Sequence, residues 1–132
     1  MVIIKPDGVQ RRLIGEIVGR IERKGLRIVA ADLRTIDAAT AARHYAEHVD
    51  KPYYGPLVEF ITGGASFVIV VEGPEDTWKM VRGLMGATDA REAAPGTIRG
   101  DLGNDLRQNL IHGSDSSASA LREIAIFFPS LV

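Results

Sequence analysis

Residues 109–116 read NLIHGSDS and set His112 between the apolar pair Leu110-Ile111 and a Gly-Ser-Asp-Ser turn. An imidazole serves as a general base, a metal ligand or a covalent nucleophile. A core histidine would sit within the apolar run; this one falls where the run ends. Gly113 removes the neighbouring side chain, so a ligand or another backbone can come close. Ser114 shares a face with His112 if the extended conformation continues. On this local pattern alone, a histidine bound to turn backbone is an equal reading.

Cations and hydroxyls stand elsewhere in the chain. Lys5 ends the first apolar stretch, Arg82 lies on a helical pattern, and Thr88, Arg91, Thr97 and Arg99 accompany Gly96 and Gly100 in an irregular segment. Gathered around one histidine, such groups would grip an anionic phosphate chain. For each cation alone the plain alternative is a solvated surface charge, and Arg91 is assigned to it. Neither a GxxxxGK stretch nor GxGxxG is present, so a phosphate grip must be built from side chains. His44 and His48 stand at i and i+4, a metal-like spacing, but no HExxH and no cysteine accompanies them. They are expected on a helix surface, and no protein metal site is expected.

Bringing residues so far apart in sequence to one place requires a packed domain. The chain has 132 residues, enough for one domain spanning 1–132 with a sizeable core. Its net charge of −1 gives no overall basic field, so nucleic acid is not expected as the main partner. There are no cysteines, which excludes disulfides and thiolate catalysis and fits a cytoplasmic protein. The apolar runs FVIVV (67–71) and IAIFF (124–128) are far too short to span a membrane, and MVIIKPDG does not read as a signal peptide.

VIIK (2–5) reads as a strand ending in a turn at Pro6-Asp7-Gly8. Ile14, Ile17, Val18 and Ile21 mark a helix that stops at Gly25. RIVAADLRTI (27–36) alternates around Val29, Ala31 and Leu33 as a strand, and Ala38, Ala42, Tyr45 and Val49 mark a helix capped by Asp37. Tyr53 to Ile61 is a short helix, SFVIVVEG (66–73) a buried strand, and Trp78, Val81 and Met85 a further helix. The segment from there to Asn109 has no sustained period, and long irregular segments in compact domains tend to be functional. NLIH is a last short strand, followed by a helix with the stripe Ala118, Leu121, Ala125 and Phe128, capped by Asp115 or Ser116. Four strands with amphipathic helices between them predict an α+β, ferredoxin-like sandwich with a four-stranded antiparallel sheet.

Several pieces together, KPDGVQR (5–11), HYAEH (44–48), KPYYGPLVEF (51–60), PGTIRGD (95–101), NLIHGSDS (109–116) and REIAIFF (122–128), resemble the nucleoside diphosphate kinases, in register over essentially the whole chain. The resemblance implies transfer of a γ-phosphoryl group from a nucleoside triphosphate to a nucleoside diphosphate, with His112 as the nucleophile and broad base specificity. It implies that Lys5, Arg82, Thr88 and Arg99 hold the phosphates, with Lys5 and Asn109 also reaching the ribose hydroxyls. Tyr53, where the family usually has phenylalanine, and Leu106 would sandwich the base, with Leu57 beside them. Tyr45 would stand near the phosphohistidine, and Ser114 and Glu123 would orient the imidazole. Glu123 lies off the Leu121/Ala125/Phe128 stripe, and so is expected to turn back toward His112. Mg2+ would bridge the nucleotide's phosphates, since no carboxylate cluster offers a protein cage. Relatives are usually homo-oligomers.

Two other classes compete. A nucleotide-binding regulatory module on the same scaffold would lack the nucleophile or a phosphate arginine, and neither is missing. An RNA-binding module would need exposed strand aromatics and a basic surface, which IVAADL, FVIVV and the net charge of −1 do not supply.

Overall fold

The computed structural model describes residues 1–132. Strands β1 (Val2–Ile4), β2 (Arg27–Arg34), β3 (Ser66–Glu72) and β4 (Ile111–Gly113) form one antiparallel sheet in the order β2-β3-β1-β4. Helices α1 (Pro6–Gln10) and α2 (Ile14–Arg23) follow β1; α3 (Ala38–His44) and α4 (Tyr54–Thr62) connect β2 to β3. Helices α5 (Thr77–Met85) and α6 (Ile98–Leu102) precede β4, and α7 (Ser117–Phe127) follows it. This is the predicted ferredoxin-like α+β arrangement.

The central strand explains the layering. Side chains alternate across a strand, so Val2 and Ile4 enter one core with Ile17, Ile21, Ile69, Met85 and Ile111. Ile3 enters the other, with Tyr45, Ile61, Val68 and Phe127. Both faces of β1 are therefore buried, and helices cover the sheet on both sides. Burying one such isoleucine stabilises by about 1.5–3 kcal/mol. The register pairs Ile3 with His112 across the β1–β4 ladder, so the His112 ring lies on the second core's face of the sheet.

Some local expectations give way to longer-range packing. Pro6-Asp7-Gly8 opens a short helix rather than a turn, with proline at its first position, where no backbone N–H is needed. The irregular segment contains α6, capped by Thr97, whose hydroxyl accepts from Gly100 N at 3.0 Å. On β2 the alternation is real, but Val29 and Leu33 are exposed and β2 is an edge strand. On α7 the predicted stripe is misphased: Leu121 is 64% exposed, whereas Glu123 and Phe127 are buried. Asp37 caps α3 as expected, accepting from Thr40 N at 2.7 Å, and Ser116 caps α7.

Glycines mark where elements crowd. A methyl at Gly113 would stand 2.5 Å from the Met85 sulfur, so this glycine admits helix α5 against β4. At Gly100 a methyl would meet the Ala94 carbonyl oxygen at 1.9 Å, whereas at Gly83 on α5 it meets nothing within 4 Å. Gly100→Ala is therefore expected to destabilise by about 1–3 kcal/mol through overpacking. Gly83→Ala should stabilise by about 0.5–1 kcal/mol, since alanine loses less backbone freedom on folding. Urea denaturation midpoints that move in the same direction for both variants would contradict this packing.

Candidate active site

Strand β4 delivers His112 into a cavity of about 250 Å³ whose lining includes Lys5, Tyr45, Arg82, Thr88, Arg99, Asn109 and Glu123. The His112 Nε2 lies 3.0 and 3.1 Å from the two Glu123 carboxylate oxygens. Ser114 donates to Glu123 Oε1 at 2.6 Å, from behind the carboxylate. Burial alone would raise the pKa of Glu123, but the hydrogen bonds from His112 and Ser114 and the charge of His112 outweigh it and hold the pKa at about 2. Glu123 does point to His112, as expected, but from the buried face of α7 rather than from beside an apolar stripe.

The cations come from three elements. Lys5, at the end of β1, is buried and donates to Asn109 Oδ1 at 2.9 Å. Burial, and then the charge of Arg99, lower its pKa to about 8, with Asp7 opposing. Arg82 from α5 is partly buried and donates to the Gly113 carbonyl at 3.0 Å. Arg99 from α6 is 4% exposed and donates to three carbonyls, those of Asn109, Gly86 and Ile111, at 3.1, 3.1 and 2.5 Å. Burial, then Arg82, lower its pKa to about 10. Asn109 ties the loops together: its Nδ2 donates to Thr88 O at 2.8 Å and Leu106 O at 3.0 Å.

Between Asn109 and His112 the backbone is strained. Leu110 has a φ of 75°, rare for a residue with a side chain. Asp7 Oδ2 accepts from Leu110 N at 3.1 Å, and Leu110 O accepts from Lys5 N at 2.8 Å. Two residues of the first motif thereby hold the approach to the histidine.

Other expected residues fall into distinct places. Tyr45 is buried on the cavity wall, and burial pushes its hydroxyl pKa up. Tyr53, just before α4, is half-exposed, and its hydroxyl pairs with His48 Nδ1 at 2.9 Å. Leu106 is exposed on the loop after α6, and Leu57 packs against the second core. Tyr53, Leu57 and Leu106 are outside the cavity lining. Thr97 caps α6 and donates to Ala94 O at 2.6 Å, and Arg91 forms an exposed pair with Asp89 at 2.7 Å; neither joins the cation set. A larger groove of about 440 Å³ between β2 and α7 is lined by Val29, Trp78 and Leu121 and has no lysine, arginine or histidine.

His44 overturns its expected place on a helix surface. It is 5% exposed, and its ring packs edge-on to His112 with centroids 4.8 Å apart. Burial, then His112, lower its pKa to about 3. The signal was present in phase: Ala41, His44 and Tyr45 share the buried side of α3, at i, i+3 and i+4. Arg122, also in the cavity wall, had no signal of its own.

An imidazole held by a carboxylate among lysine and arginine side chains, on a ferredoxin-like sheet, is an arrangement that suits the α+β phosphotransferase class. A family model described as nucleoside diphosphate kinase matches residues 1–131. The nucleoside diphosphate kinase of Thermobifida fusca is 60% identical over 131 residues, covering 99% of this chain and 96% of that protein. That of Mycobacterium leprae is 57% identical over 132 residues, covering 99% and 96%. The structure of the Halobacterium salinarum nucleoside diphosphate kinase in complex with CDP superposes with a TM-score of 0.93 at 58% identity, covering 96% of this chain and 84% of that one. The chain belongs to the nucleoside diphosphate kinase family, enzymes that transfer phosphate between nucleotides.

The three arginines separate by their partners. Arg82→Ala removes a side chain with one carbonyl contact, so kcat/KM should fall by at least about tenfold, roughly 1.4 kcal/mol, with little change in melting temperature. Arg99→Ala should lower both kcat/KM, by a similar factor, and the melting temperature, because buried carbonyls lose their donor. Arg91→Ala should change neither. Equal small effects at all three positions, in steady-state kinetics and thermal melts, would count against both a phosphate role for Arg82 and Arg99 and a bracing role for Arg99.

Proposed function

We propose that the chain moves the γ-phosphoryl group of a nucleoside triphosphate to a nucleoside diphosphate through a phosphohistidine at His112. The observation that carries this reading is the 3.0 Å pairing of His112 Nε2 with Glu123 inside a cation-lined cavity. An ionised carboxylate accepts, so Nε2 keeps its proton and Nδ1 keeps the lone pair. In the first half-reaction that lone pair forms an N–P bond while the bond from phosphorus to the β,γ-bridging oxygen breaks, and the nucleoside diphosphate leaves. Glu123 offsets the imidazolium charge that develops. In the second, a terminal phosphate oxygen of the acceptor bonds to the same phosphorus, the N–P bond breaks and its electrons return to Nδ1. One nucleophile in both halves gives ping-pong turnover.

The remaining residues position and neutralise, which is most of what phosphoryl transfer asks of a protein. Lys5, Arg82, Thr88 and Arg99 hold the phosphates, and phosphate beside Lys5 favours its charged form. Arg99 acts mainly by its charge and by bracing β4, since its donors serve backbone carbonyls. Lys5 and Asn109 reach the ribose hydroxyls, Tyr45 stands near the phosphohistidine, and Ser114 holds Glu123. Tyr53 and Leu106 sandwich the base with Leu57 beside them; the CDP bound by the Halobacterium salinarum relative supports a nucleoside diphosphate at this site.

Mg2+ enters on the nucleotide. Of the three carboxylates that line the cavity, Glu123 is taken by His112 and Ser114, Asp115 accepts from Ser119 at 2.6 Å and Glu47 is exposed, so they are not gathered into an oxygen cage. Bound to the triphosphate, the ion supplies charge neutralisation across the phosphate oxygens. Edge strand β2, with Val29 and Leu33 exposed, supports a homo-oligomer. We assign the reaction to the cytoplasm, where a cysteine-free chain and its nucleotide substrates fit.

Incubation with magnesium and γ-labelled ATP, without acceptor, tests the reading. Label should attach to the protein, resist base, be lost in mild acid and pass to added nucleoside diphosphate. His112→Ala should abolish labelling and His48→Ala should not. Wild-type protein that binds nucleotide but never takes up label would instead be a regulatory module, and label surviving His112→Ala would move the nucleophile elsewhere.

Base recognition by stacking makes a second prediction. Adenine, guanine, cytosine and uracil diphosphates should all serve, with kcat/KM values within about two orders of magnitude, since stacking contributes only about 1–3 kcal/mol per base. Purines should lead. Strict preference for one base would reveal a hydrogen-bonding contact and count against the Tyr53/Leu106 platform.

A further inference from the structure

The sequence spacing pairs His44 with His48, but the fold pairs His44 with His112 and Glu123. One ligand atom from each of these three residues lies within 4.8 Å of the others. His44 Nδ1 is 3.7 Å from Glu123 Oε2, and His112 Nε2 is 3.0 Å from that same oxygen. Neither ring nitrogen of His44 has a hydrogen-bond partner, although its side chain is only 2% exposed. Buried polar atoms are nearly always paired, so an unpartnered Nδ1 that lies 3.7 Å from a carboxylate, on a ring packed against a second imidazole, calls for a ligand.

We propose that His44, His112 and Glu123 form a capture site for one zinc ion, and that zinc there withdraws the nucleophile. Two imidazole nitrogens and a carboxylate oxygen are a donor set that zinc accepts, with a fourth position left open. Zinc bonds of about 2.0–2.1 Å set neighbouring donor atoms of a tetrahedron roughly 3.4 Å apart. Both distances to Glu123 Oε2 are already near that value, and the two imidazole nitrogens, within 4.8 Å of each other, would draw together on the ion. Ser114 holds Oε1, so Oε2 is the oxygen left for the ion, an arrangement typical of an outer-shell partner. The His112 side chain is 24% exposed, which gives the ion a path from the cavity. Magnesium, which demands six oxygens, is excluded by the two nitrogens. Arg122 approaches Glu123 Oε2 at 3.8 Å and opposes a dication, so micromolar rather than nanomolar affinity is expected.

The consequence for catalysis is a change of tautomer. A neutral imidazole that coordinates zinc through the Nε2 lone pair carries its proton on Nδ1. That proton occupies the nitrogen that would take the phosphoryl group, so bound zinc blocks phosphorylation with no net proton change on the ring. This consequence rests on the phosphohistidine reading; zinc binding itself does not.

Zinc titration of nucleotide-free, magnesium-free protein against a chromophoric chelator should give one ion per chain. His44→Gln should weaken binding at least tenfold and His48→Ala should not. Ring nitrogen NMR of the wild-type chain, which needs no variant to fold, should show the His44 and His112 signals shifting together at one equivalent, with His112 moving to the Nδ1–H form. Uptake that His44→Gln leaves unchanged, ring signals that do not move, or no saturable uptake below about 100 μM zinc would each overturn the site. Wild-type protein that binds one zinc yet takes no label from ATP would sink the phosphohistidine reading and leave the metal site standing. Protein that takes up as much label in saturating zinc as without it would overturn the block.

Discussion

The ionised carboxylate of Glu123 is the constraint on which the rest of the site depends. A buried carboxylate survives as an anion only when its oxygens are satisfied. Here His112 and Ser114 satisfy them, at 3.0 and 2.6 Å, and the same contacts fix the ring's tautomer and direction. Helix α7 must then turn a charged residue inward. It does so between Ser116, which caps its start, and Phe127, which enters the second core, and Leu121 is left on the outside as a result. The geometry of a whole helix thus follows from one hydrogen-bonded anion.

A second constraint acts on the other side of the histidine. Leu110 in the left-handed region costs about 1–3 kcal/mol. Asp7 and Lys5 grip its amide and carbonyl, and Arg99 spans the carbonyls of Asn109 and Ile111 on either side. These contacts join the end of β1, helix α6 and strand β4. Lys5 and Arg99, which we assign to the phosphates, are therefore also braces of the strand that carries His112, which keeps imidazole and charge in one rigid frame.

What was legible in the sequence was the local chemistry. The apolar strands and the caps Asp37 and Ser116 follow from side-chain type and short-range spacing, and the structure has them, although the last strand, expected over NLIH, runs from Ile111 to Gly113. The family resemblance also named Lys5, Arg82, Thr88, Arg99, Asn109 and Glu123, and the fold gathers all six around one cavity. Helical phase was not legible where apolar residues stand on more than one side. Leu121 and Ala125 made a plausible stripe on α7, but the buried face is the one that reaches His112. His44 was misplaced for the same reason, since α3 offers alanines on most sides and tertiary contact selects the face with Ala41 and Tyr45. Thr97 looked like a phosphate hydroxyl because the turn that makes it a cap is set by Ala94 and Gly100.

Arg82, Arg91 and Arg99 show why composition alone assigns no roles. All three are near the same irregular segment and carry the same group. Arg91 meets Asp89 two residues away and remains at the surface, where such a pair contributes little. Arg99 is drawn inward by carbonyls that the strained turn and the α5 terminus leave unpaired, and its charge is buried beside the cavity. Arg82 falls between these extremes, with one carbonyl contact and the rest of its fork available. The difference lies in how many backbone acceptors the fold presents to each guanidinium. A phosphate chain competes for donors only where those acceptors run out, so in the function we propose Arg82 is the hand and Arg99 the frame.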